Sequence, residues 1–140
     1  MEAWQAKALE LFPDHQSLIE GQPNPMSLWI ELTIVLGHVY EENPLSDERI
    51  GKFYDYAAWC FKQPRTESAA TDLSTAVAVC FIEHIPLHRS ISDDVYRWMS
   101  VESFDGFENL FRYHFSEEEF KKFSSEFHAK KKDFTGTPRL

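Results

Sequence analysis

Glu83 and His84 are the neighbours in this chain best suited to proton chemistry, since a carboxylate can orient an imidazole and trade a proton with it near neutral pH. His84 lies eleven positions after Leu73 on the apolar stripe of a helix that Pro86 ends, and Glu83 lies at the edge of that stripe. A histidine so placed can also be structural, capping free carbonyls at the negative end of the helix dipole. His88 follows four residues later, but Pro86 interrupts the helix that would align it with His84 as a metal pair. Arg112-Tyr113-His114 then precedes a helix start at Ser116. Arg112 can pair with Glu83 across helices or hold an anionic ligand bidentately, and both readings stay open. Glu83, His84, Arg112, His114 and His38 are the candidate polar site.

Glu31, His38 and Glu42, spaced i, i+7 and i+11, share one helical face. Convergence of this face with His84 in a groove would make a divalent-metal site, while the plainer reading is a solvated charged edge. The sequence contains neither HExxH nor ExxH, no nucleophile elbow and no glycine-rich phosphate loop among its five glycines. No metal, cofactor or nucleotide is therefore expected. Candidates for partner contact are Glu31, Glu41, Glu42, Tyr56 and Trp59. By helical angle Trp59 points away from Ile50, among Lys52, Asp55 and Lys62, so it is either covered by another segment or left for a partner.

The elements that must position these groups read as helices throughout. The first runs from Glu2 to Phe12 and stops at Pro13, with a short helical turn following over His15–Glu20. Asn24-Pro25 combines an N-cap with proline at the first helical position and opens a helix to Tyr40. Ser46 starts another, with Ile50, Phe53, Tyr54, Ala57, Ala58 and Phe61 on its stripe and Pro64 beyond its end. A fourth, from Ser68 or Thr71 to Ile85, is apolar nearly all round, which marks a central helix. Ser92-Asp93-Asp94 is expected to begin a short helix to Met99, and Ser100 to begin the next. Ser116-x-x-Glu119 is a capping box whose helix carries Phe120, Phe123 and Phe127.

Shifting the chain by 46 residues lays Ser46-Asp47 on Ser92-Asp93 and His38 on His84. That period suits a HEAT-like helical pair, although the second helix of each unit aligns poorly. The expected fold is all-α, a single domain of stacked antiparallel helices over residues 1–129, with 130–140 a basic, mobile tail. At 140 residues one core is expected, and twelve Phe, five Tyr and four Trp make it a bulky one.

The net charge of −9 is uneven: residues 121–140 carry +4, leaving −13 on the first 120. An acidic body repels phosphate backbones, which disfavours nucleic acid and fits a basic protein partner as well as simple solubility. No apolar run is long enough for a membrane span, and the N-terminus lacks the basic start and apolar stretch of a signal peptide. Cys60 and Cys80 lie in helical patterns without CxxC spacing, as small core residues of a reducing compartment do, so a cytoplasmic location is expected.

The runs YDYAAWC (54–60), TAVAVCFIEHIP (75–86), RWMSVESF (97–104) and FRYHFSEEEFKKF (111–123) together resemble a bacterial family of small helical proteins of unknown function. The resemblance covers residues 28–127. It implies a bacterial cytosolic helical protein, carries no activity with it, and draws attention to Tyr56, Trp59, Glu83, His84, Arg112 and His114. The functional expectation is a protein-interaction or immunity-type module, monomeric or homodimeric, that offers an acidic surface to a basic protein. The alternatives are a small enzyme or metal-binding protein using the Glu/His/Arg site, and a homodimeric structural protein.

Overall fold

The computed structural model describes residues 1–140 and is all-α, with nine α-helices, three short 3-10 turns and no strand. No helix is long and apolar enough to cross a membrane. Helix α1 (Ala3–Leu11) leads through a 3-10 turn at Pro13–His15 to α2 (Gln16–Glu20). Asn24 accepts from the Ser27 amide at 2.9 Å and, with Pro25, opens α3 (Pro25–Val39). Ser46 caps α4 (Asp47–Phe61), Asp72 caps α5 (Leu73–Cys80) and Ser100 caps α7 (Val101–Gly106). Between them lies α6 (Arg89–Asp94), and α8 (Glu108–Arg112) precedes the Ser116/Glu119 capping box of α9 (Glu117–Asp133).

Helix α5 packs against α3 and α4, and α4 in turn is covered by α1 and α3. Trp4 of α1 meets Tyr56 and Phe12 meets Phe53, so α1 runs antiparallel to α4. From the other side Trp29 of α3 stacks on Tyr56 at 5.2 Å and on Phe81 at 5.1 Å. With Trp59 on Tyr56, Tyr54 on Phe81 and Trp98 on Tyr54, six rings make one continuous column. Aromatic pairs in such offset or edge arrangements add to the burial that drives the core together. A second group, Phe104, Phe111, Phe123 and Phe127, fastens α7 and α8 to α9.

Three expectations are corrected. The fourth helix does not continue to Ile85: it ends at Cys80, and Ile82–Leu87 is a 3-10 turn containing Pro86. Ser92-Asp93-Asp94 ends α6 instead of starting a helix. A shift of 46 residues thus lays the 15-residue α3 on the 8-residue α5, and the 15-residue α4 on a broken stretch made of the end of α6, a 3-10 turn at Val95–Arg97 and the 6-residue α7. The boundary drawn at residue 130 falls inside α9, and the segment beyond it is seated. The amides of Arg139 and Leu140 donate to the Trp98 carbonyl at 2.8 and 2.9 Å, and Ser100 N donates to the Leu140 carbonyl at 3.0 Å. Arg139 also reaches Asp55 at 2.6 Å.

Candidate functional site

The 3-10 turn decides where Glu83 and His84 go. In 3-10 geometry side chains three apart align, so Ile82 and Ile85 enter the core together and the residues between them are turned aside. Those residues meet the link between α8 and α9. His84 and His114 pack edge to face with ring centroids 5.4 Å apart, and His114 Nε2 lies 3.5 Å from Glu83 Oε1. That nitrogen is buried without a hydrogen-bond partner. Burial, then the neighbouring His114, holds the His84 imidazole below its ordinary pKa, with Glu83 opposing and His88 adding to the depression. Cys80 is close enough that burial, then Glu83, pushes its thiol up.

Arg112 takes no part in this cluster. Its Nε donates to Glu108 at 3.1 Å, its guanidinium also pairs with Glu117, and it lies over the Phe120 ring at 4.2 Å. In place of the Arg112–Glu83 pair that one of the two readings allowed stands a clamp between α8 and the start of α9, and both carboxylates come from its own stretch of chain. An anion would have to displace them.

His38 does not converge on His84 either. Its side chain is 70% exposed, sits 3.5 Å from Glu41, and lines a shallow groove of about 410 Å³ with Ile34, Leu87, His88 and Arg89. Glu42 is paired with Arg49, and Glu31 stays half-buried on α3. No group of three or more His, Cys, Asp or Glu side chains is arranged to hold a metal ion.

The aromatic candidates separate as well. Tyr56 is fully buried and its hydroxyl donates to the Trp4 carbonyl at 2.8 Å, so it is a core residue and not a partner contact. Trp59 is half-buried, stacked on Tyr56 and bordered by Lys7, Leu11, Asp55, Lys62 and Arg139. The exposed aromatic is Tyr113, 72% accessible and edge-on to His114 at 4.9 Å. It belongs to a segment, 102–119, bearing six exposed carboxylates (Glu102, Asp105, Glu108, Glu117, Glu118, Glu119) against one guanidinium, Arg112.

Sequence reasoning took Asp94 only as part of a helix start. Its carboxylate accepts from Tyr40 OH at 2.6 Å, Trp98 Nε1 at 2.9 Å and Arg97, which also bonds Asp47 at 2.9 Å. The signal was the spacing Asp94, Arg97, Trp98, an i, i+3, i+4 set on one side of a turn. Its effect is to tie the end of α3 and the start of α4 to α6.

No protein-family model, curated protein or solved structure matches this chain.

Proposed function

We propose that this protein is a protein-interaction module, of the kind that covers a basic protein partner in the manner of an immunity protein. Its contact face is the acidic surface of α7, α8 and the first turn of α9, with Tyr113 as anchor. The observation that carries this reading is the combination at Tyr113: a tyrosine 72% exposed within a segment whose exposed charges are nearly all carboxylates. Tyrosine is enriched among residues that dominate binding energies, and a rim of one sign steers an oppositely charged protein to it. Two buried, unpaired cysteines support a reducing compartment for the complex.

The test is a quantitative pull-down from the source cell with three baits in parallel: the native protein, Tyr113→Ala, and Glu117→Lys/Glu118→Lys. A genuine partner is basic, is retained less as salt rises, and is lost at least about tenfold from the Tyr113→Ala bait, the scale of one hot-spot side chain. Equal recovery by all three baits would place the contact elsewhere on the molecule. Because Tyr113 buries little, the variant keeps its fold, which circular dichroism verifies.

A further inference from the structure

We infer that Glu83, His84 and His114 form an acid-responsive joint that sets how Tyr113 is presented. The inference rests on the proposed binding face for its use, but not for its physics, which belongs to the free protein. His114 Nε2 is buried, has no hydrogen-bond partner and faces a carboxylate oxygen at 3.5 Å. A neutral imidazole that presents its lone pair there is repelled by the carboxylate. One proton taken from solvent onto Nε2, with no other bond made or broken, turns the same contact into a charge-assisted hydrogen bond whose ordinary length is shorter than 3.5 Å. Protonation therefore draws His114 towards the 3-10 turn.

His84 limits the device to one proton. Its ring lies against His114, so two imidazolium charges would sit side by side in a partly buried site, and the first proton settles where the carboxylate is nearest. The depressed titration of His84 agrees with that order. The other charged groups on the packed elements are accounted for. Cys80 of α5 is a buried thiol, and Arg112 of α8 is held by Glu108 and Glu117. Arg89 of α6 is exposed beside Asp93, and His38 with Glu41 lies across the groove on the side of His88. Glu83 is thus the carboxylate that faces His114.

Transmission to the surface is short. Tyr113 is the preceding residue in the chain and its ring stands edge-on to His114 at 4.9 Å, so a shift of His114 moves the exposed tyrosine directly. Between neutral and mildly acidic pH, the range in which histidine side chains change charge, Tyr113 passes from one presentation to another.

The free protein, observed by NMR through its histidine and tyrosine ring protons across this range, tests the joint without any partner. Expected is a movement of the Tyr113 ring resonances that follows the His114 titration, and its loss in Glu83→Gln, which keeps shape but removes the charge. His84→Asn, as an independent variant, should retain the movement, because the proton that drives it goes to His114. Tyr113 resonances that stay constant while His114 titrates, or an unaltered response in Glu83→Gln, would overturn the inference. Unchanged far-ultraviolet circular dichroism at both ends of the range separates the joint from unfolding. A failed pull-down would remove the binding face and leave this titration standing, and a flat titration would do the reverse.

Discussion

The carboxylate of Asp72 accepts from Arg65 Nε at 3.0–3.1 Å, from the amides of Thr66 and Thr75 at 3.0 and 3.1 Å, and from the Thr75 hydroxyl at 2.6 Å. Led by the Thr75 hydroxyl, these donors hold its pKa down to about 2. A folded-state pKa below the unfolded value means that the unfolded chain binds the proton more readily. The stabilisation is therefore complete above the ordinary aspartate pKa of about 3.9 and is lost as pH falls through about 2. Replacing Asp72 by Ala should cost about 2 kcal/mol, the upper range for an N-cap, and should remove this acid dependence; urea titrations from neutral pH downwards measure both. Asp72 was not legible as the cap because Ser68 and Thr71 offer equally good capping side chains just before it. Tyr56 was misread for a different reason. A helical wheel assumes one buried face, but α4 is covered by α1 on one side and by α3 on another, so a residue off the Ile50 stripe is still inside.

At the scale of elements, most helix starts and the ends marked by proline were legible, while the starts of α5 and α6 and the end of α5 were not. Asn24, Ser46, Ser100 and Ser116 each announce a helix because a side-chain oxygen must satisfy amides that have no intrahelical partner. The 3-10 turn at Ile82–Leu87 was hidden, because its apolar residues continue the pattern of α5 and only the backbone changes pitch. Gly51 gives an element-scale prediction. In an exposed helix, Gly→Ala gains about 1 kcal/mol from propensity alone. Here a Cβ would meet the Trp98 ring and the Arg139 guanidinium at 3.2 Å each. Arg139 can swing away, but Trp98 is bonded to Asp94 and stacked on Tyr54. Gly51→Ala should therefore lower the denaturation midpoint despite the propensity gain, and Arg139→Ala should not rescue it.

For the whole molecule, helical class and the extent of the core followed from composition and spacing, whereas the way α5 and α6 break up depended on contacts distant in sequence. The charge distribution has a consequence at this scale too. A body carrying −13 over its first 120 residues repels itself, and added salt screens that repulsion. Moderate salt should raise the melting temperature of the free protein while weakening its complex with a basic partner, opposite signs that calorimetry and a binding titration can read on one sample. The six-ring column from Trp59 through Trp29 to Trp98 bears on how such experiments are followed. Its chromophores are held 5.1 to 6.0 Å apart in fixed, asymmetric orientations, so their electronic transitions mix. The native chain carries its own optical label: an intense near-ultraviolet dichroic band that collapses when the stack comes apart, even where the helices persist.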